Sequence, residues 1–183
     1  MAKNKNELFE WLKAIGLAVV IALVIRQFLF TTVVVDGESM LPALHPYDRM
    51  IVNKAGFAAS GPDRFEIVVF HASEGEDYIK RIIGLPGDTV EYRRDQLYIN
   101  GKAIDEPFLE DYKKQLIDPP LTENFTLSEA AGRKKVPEGH VFVMGDNRRI
   151  SKDSRHIGTV PVSDIMGEAN FVYWPLSDIR IVK

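Results

Sequence analysis

No cysteine occurs among the 183 residues. That absence excludes disulfides, thiolate metal sites and a cysteine nucleophile, but it does not fix the compartment, because an exported domain can do without bridges. Nor is one sign of charge in surplus. Lys and Arg number 23 against 26 Asp and Glu, a net charge of −3, which leaves no basic footprint for nucleic acid. The P-loop, the dinucleotide G-x-G-x-x-G and the zinc-binding H-E-x-x-H are all missing, and no metal or cofactor is expected. No internal repeat or low-complexity run breaks the chain. What is present is 45% hydrophobic and 27% charged residues, enough for one packed domain plus a further segment.

That further segment is N-terminal. Residues Ala14 to Ile25 are apolar without a break and are bracketed by Lys13 and Arg26. Twelve helical residues rise about 18 Å, short of a ~30 Å hydrocarbon core. Adding Trp11-Leu12 and Phe28 to Phe30 gives about twenty residues, with Lys13 and Arg26 snorkelling toward head groups and the aromatics at interfacial depth. A cleaved signal peptide would end in small A-x-A residues, and Arg26 to Gly37 offers none. A buried core helix would have nothing to cover its far side, and a helix lying in the interface would need a broad polar face. The expectation is therefore one N-terminal transmembrane helix, with residues 1–30 forming a cytoplasmic N-terminus and anchor. Lys3, Lys5 and Lys13 place the N-terminus inside by the positive-inside rule, weakly opposed by Arg26. Residues 31–183 then form a domain on the outer face of the cell membrane.

From Thr31 onward the texture is β. Thr31–Val35, Arg49–Lys54, Phe65–His71, Tyr78–Ile83, Thr89–Arg93, Gln96–Ile99, Lys102–Ile104, His140–Met144, Ile165–Trp174 and Asp178–Val182 read as strands, separated by Gly, Pro and Asn-Gly turn signals. Residues 106–135 are polar and irregular, with one helical turn over Ser128–Ala131, and read as a surface insertion. The fold class expected is mainly β, with folded antiparallel sheets or a barrel-like domain.

Three polar stretches carry candidate chemistry. The first is Gly37-Glu38-Ser39-Met40-Leu41-Pro42. A serine hydroxyl needs a group to take its proton. Four histidines exist, but G-x-S-x-G fails at Leu41, and His45, His71, His140 and His156 read as ordinary surface or core residues. The second stretch, Asp77 to Gly84, offers Lys80. At its ordinary pKa near 10.4, roughly one lysine in a few thousand is neutral at pH 7, so a lysine base must be buried. Strand alternation puts Tyr78, Lys80 and Ile82 on one face and Arg81 on the other. The competing reading is an edge lysine that snorkels to water. By the same parity Val33, Val35, Gly37 and Ser39 share a face, so the valines either line pockets for small side chains or are plain core. The third stretch, Gly145 to Arg155, has the acids, amides and arginines of a supporting hydrogen-bond network. There Ser151 can orient a neutral lysine and Asp153 can pair with Arg155, unless the stretch is only a solvated charged turn.

In this order the three stretches resemble the bacterial type I signal peptidases (leader peptidases), membrane-bound serine proteases that remove signal peptides from exported proteins. The resemblance runs from the apolar segment to the last strands. The third stretch matches the family's G-D-N-R-x-x-S-x-D-S-R at every fixed position. It implies a catalytic dyad of Ser39 and Lys80, supported by Ser151, Asp153 and Arg155. It also implies that Val33, Val35, Met40, Leu44, Tyr78 and Ile79 line pockets for the small −1 and −3 residues of A-x-A cleavage sites. The implied partners are signal peptides, the lipid bilayer and the export machinery. Gly37 departs from members with a serine there, so a hydroxyl cannot complete the oxyanion hole, which leaves the Ser39 N–H as the main donor. The compact chain with one anchor is closest to Gram-positive members. Two rival readings stand beside this one. They are a cytosolic self-cleaving Ser-Lys protease of the SOS-repressor type and a membrane-tethered β module without activity.

Overall fold

The computed structural model describes residues 3–72 and 75–182. Among its helical residues, the side chains of Lys3, Lys5 and Arg26, on which the expected orientation rests, lie outside that description. Helix α1 (Lys3–Phe28) runs 26 residues, about 39 Å. Its sequence holds no proline and a single glycine, Gly16, so nothing interrupts it. Trp11, Leu12, Ile15, Leu17, Val19, Val20, Ile21, Leu23 and Ile25 are all exposed. The expected membrane-spanning character is not borne out at this level. Glu7, Glu10 and Lys13 break the apolar pattern of its first half, and among the described residues no helix is long and apolar enough to cross a membrane.

The remainder is a β structure of strands β1 (Phe30–Val34), β2 (Arg49–Asn53), β3 (Ile67–His71), β4 (Asp77–Gly84), β5 (Val90–Arg93), β6 (Gln96–Ile99), β7 (Lys102–Ile104), β8 (Phe125–Thr126), β9 (His140–Met144), β10 (Val160–Pro161), β11 (Ile165–Trp174) and β12 (Arg180–Ile181). The larger sheet runs β1-β2-β11-β3-β4-β9-β10, with β12 on β11, and the smaller runs β7-β6-β5-β8. Every described pair is antiparallel. The barrel-like alternative does not hold among the described residues. The end strands β1 and β10 do not pair with each other, so the sheet folds over without closing.

Strand alternation explains how two sheets share the core. In β3, Ile67 and Val69 pack with Val35, Met40, Leu44 and Met50, while Val68 and Phe70 pack on the other face with Ile82 and Val143. A strand buried on both faces reads as a continuous apolar run, and each such side chain contributes roughly 1.5–3 kcal/mol. Strand β9 does the same. Its Phe142 and Met144 face a third cluster with Tyr92, Leu97 and Ile83 under the small sheet. Sequence reading missed three helices, two of them outside residues 106–135. Helix α2 (Lys54–Ser60) starts at Asn53, whose side chain accepts from the Gly56 N–H, a cap hidden at the end of a β-branched run. Helix α5 (Ser154–Ile157) begins at the end of the third polar stretch.

Residues 106–135 hold more than irregular chain. They include helix α3 (Glu110–Gln115), β8 and helix α4 (Leu127–Ala131). Thr126 and Glu129 form a reciprocal capping box on α4. Leu109, Leu121 and Leu127 are fully or nearly fully buried, so the segment, though largely exposed, is keyed into the core beside the small sheet.

Candidate active site

Ser39 sits on a turn that leaves β1. Gly37 adopts φ +81, a conformation glycine reaches without Cβ strain. The excursion closes through Tyr47 N–H to Val35 O and Val35 N–H to Asp48 O, both 2.8 Å. Asp48 is buried. It accepts from His45 N–H at 3.0 Å and from Arg180 Nη2 at 2.7 Å, and Arg180 also donates to Ala43 O. The last strand thus clamps the loop behind the serine.

Lys80 reaches this turn from β4. It is 4% exposed. Its Nζ lies 2.8 Å from Ser39 Oγ and 3.0 Å from Ile79 O, and over the Tyr78 ring at 5.2 Å. Burial brings its pKa down from 10.5 to about 8, against the opposing pull of the Asp153 and Asp146 carboxylates. The Lys80 ammonium donates to Ser39, whereas the neutral amine presents a lone pair to the hydroxyl proton. None of the four histidines is hydrogen-bonded to Ser39 among the described residues. His71 instead pairs with Asp77 at 2.6 Å on the surface.

The stretch Gly145 to Arg155 encloses the pair. Arg81, on the opposite face of β4 from Lys80, donates to Asp146 through Nε (2.9 Å) and Nη2 (2.7 Å), and to Phe65 O. Both side chains are fully buried. Asp153 and Arg155 do pair, Arg155 donating from Nε and from Nη2 to the two Asp153 carboxylate oxygens, each at 2.8 Å. Burial opposes ionisation of Asp153, but Arg155 and the Gly145 N–H outweigh it and hold the carboxyl below its ordinary range. Ser151 is buried and close to Asp153, yet its Oγ has no well-formed hydrogen bond, and Lys80 does not bond to it. Gly145 admits no side chain. A Cβ there would lie 2.3 Å from both Ser39 O and Ser151 Oγ.

Several of these residues carried no signal as single positions in the sequence. Asn147 donates to Glu38 O through Nδ2 and to Ser39 O through its backbone N–H, each at 3.1 Å. Arg148, fully enclosed, bonds Gly145 O, Tyr92 Oη and Glu106 Oε1. Only their place in the third stretch marked Asn147 and Arg148. Tyr92 and Glu106 lie 56 and 42 positions from Arg148, a separation no local pattern reveals.

A groove of about 610 Å³ opens on the pair, lined among others by Val34, Val35, Ser39, Met40, Tyr78, Ile79 and Lys80. Four of the six residues expected around a substrate, Val35, Met40, Tyr78 and Ile79, are in that lining. Val33 packs against the core cluster and Leu44 is fully enclosed in it, so both support the floor from behind. No cluster of His, Asp or Glu suited to a metal occurs among the described residues.

The family model "Signal peptidase, peptidase S26" matches residues 8–174. The chain belongs to the signal peptidase family, peptidase S26. It is 48% identical to "Signal peptidase I" of Bacillus amyloliquefaciens, over 98% of this chain and 95% of that one. It is 49% identical to the Bacillus caldolyticus protein of the same name, over 86% and 87%. "Signal peptidase IB" of Staphylococcus aureus is 39% identical over 96% and 94%. A crystal structure of a signal peptidase I from Enterococcus faecalis superposes with a TM-score of 0.57 at 44% identity, covering 60% of this chain and 97% of that one. Family, names and coverage together make the protein a type I signal peptidase, and signal peptides are its substrate class.

Proposed function

We propose that this signal peptidase cleaves by a Ser39–Lys80 dyad, after small residues of A-x-A sites, at a membrane surface. The observation that carries the dyad is the 2.8 Å approach of a buried, pKa-lowered amine to the Ser39 hydroxyl. Neutral Lys80 removes the hydroxyl proton as Ser39 Oγ attacks the carbonyl after the −1 residue. The C–N bond then breaks, and the Lys80 ammonium returns its proton to the leaving amine of the mature protein. A water, deprotonated by Lys80, then attacks the acyl carbonyl, the bond to Ser39 Oγ breaks as the Lys80 ammonium returns the proton to that oxygen, and the signal peptide leaves. Side chains and water carry each step.

The groove supports the specificity. Along β4, residues 77–80 pair with β3 on one side, whereas β9 joins on the other side only from Arg81. That free edge can take an extended substrate as an added strand. Val35, Met40, Tyr78 and Ile79 leave apolar hollows suited to the small −1 and −3 side chains. Support for a lipid partner is the apolar surface of α1, which ends at exposed Phe28, and the exposed Phe30, Val34, Trp174 and Leu176 of the domain. In this reading α1 holds the domain at the cell membrane with its N-terminus on the cytoplasmic side, where exported preproteins arrive. The test is cleavage of a preprotein with an A-x-A site by wild-type, Ser39→Ala and Lys80→Ala proteins. Both variants should be inactive, and normal cutting by the Lys80 variant would overturn the dyad.

A further inference from the structure

We infer that Asn147 is a positioning residue for the oxyanion hole, acting through the peptide bond that precedes the nucleophile. The inference rests on the Ser39–Lys80 reading. It begins from Gly37, which supplies no hydroxyl to a developing oxyanion and leaves the Ser39 N–H as donor. That N–H is hydrogen-bonded to no acceptor among the described residues. The Glu38–Ser39 peptide is trans, and a trans peptide is a rigid plane whose C=O and N–H point in opposite directions. Holding one end therefore aims the other.

The C=O end is held twice. Glu38 O accepts from Asn147 Nδ2 at 3.1 Å and from Leu41 N–H at 3.2 Å. The next carbonyl, Ser39 O, accepts from the Asn147 backbone N–H at 3.1 Å. One residue thus grips both carbonyls that flank the nucleophile, and with Glu38 O turned toward Asn147 the Ser39 N–H is turned away from it. Donors on Glu38 O also polarise the same amide, which strengthens its N–H as a donor. Asn147 is itself 8% exposed. Its reach depends on Gly145, which lets the loop lie directly against Ser39 O, and on Arg148, whose Nε holds Gly145 O at 3.0 Å.

The test compares Asn147→Asp, nearly isosteric but unable to donate to Glu38 O when ionised, with Asn147→Ala, using a preprotein carrying an A-x-A site. Removing an oxyanion donor outright costs roughly 10²–10³ in kcat, so loosening its aim should cost about 10- to 100-fold in both variants. KM should stay within about twofold, and in Asn147→Ala, which adds no charge, the midpoint of the pH–rate profile should stay where the wild type has it. A peptide aldehyde, which adds Ser39 O–H across its C=O to give a tetrahedral adduct, should lose affinity in parallel with kcat. Thermal melting is measured beside each assay, and kcat is read per folded molecule, so a partly unfolded variant still reports. The inference fails if Asn147→Asp keeps kcat within about twofold, if the loss lies in KM, if the pH midpoint of Asn147→Ala moves, or if the aldehyde binds as to wild type. Ser39→Ala and Lys80→Ala are assayed alongside. Activity in either sinks the dyad itself, whereas an unimpaired Asn147→Asp enzyme with both dyad variants dead sinks only this inference.

Discussion

At the scale of single residues, the role proposed for Lys80 sets stability and activity against each other. Its pKa of about 8 leaves roughly a tenth of the molecules with a neutral amine at pH 7, against one in a few thousand for a solvated lysine. The rate of cleavage should therefore rise nearly tenfold per pH unit below 8 and level off above it. A flat profile from pH 6 to 9 would contradict a lysine base. The same shift has a cost. The folded state disfavours the proton that the unfolded chain keeps up to about 10.5, so Lys80 destabilises the fold fully below pH 8, and the penalty vanishes as pH rises toward 10.5. Lys80→Met should be inactive yet more stable in denaturant at pH 7, by up to about 3 kcal/mol, and the gain should shrink as the pH is raised to 10. Gly145→Ala should act without touching charge. Its Cβ meets the Ser39 backbone oxygen at 2.3 Å, which cannot swing aside as a flexible side chain could, so activity should fall well beyond any change in melting temperature.

At the scale of elements, the buried cations show why the third polar stretch is not a solvated turn. Arg81 and Arg148 lie enclosed, each facing a carboxylate, Asp146 and Glu106. Removing one partner of a buried pair strands the other charge and costs about 3–5 kcal/mol. Glu106→Gln keeps the shape but leaves Arg148 without its counter-charge. It should lower stability and, because Arg148 holds Gly145 O, lower activity as well, as chemical denaturation and cleavage assays on the same preparation would show. The sequence composition of residues 106–135 concealed this. Polar, proline-containing chain reads as loop, and only the tertiary meeting of Tyr92, Glu106 and Arg148 ties it to the site. The expected strands fared better, since alternation and turn residues are local signals. Helix α2 was missed because its cap and single buried Phe57 give too short a pattern to show a helical period.

At the scale of the whole molecule, α1 shares no residue with the three described core clusters. Deleting residues 1–28 should therefore leave the catalytic domain folded, with a cooperative melt, while reducing sedimentation with lipid vesicles. Equal vesicle binding by the shortened chain would argue that the exposed β surface alone holds it there. The candidates for the proposed dyad were legible in the order of three short stretches, because a serine, a lysine with apolar strand neighbours and an acid-arginine loop each mark themselves locally. Strand parity likewise foretold that Arg81 would face away from Lys80. What only the tertiary structure decided was distance and burial. Forty-one positions separate Ser39 from Lys80, and no spacing rule says whether such a pair meets. Whether an amine is stripped of water, and which way a peptide N–H is aimed, depends on side chains contributed by β4, β9 and the loop between β9 and α5, which approach one another only after the sheets have folded over.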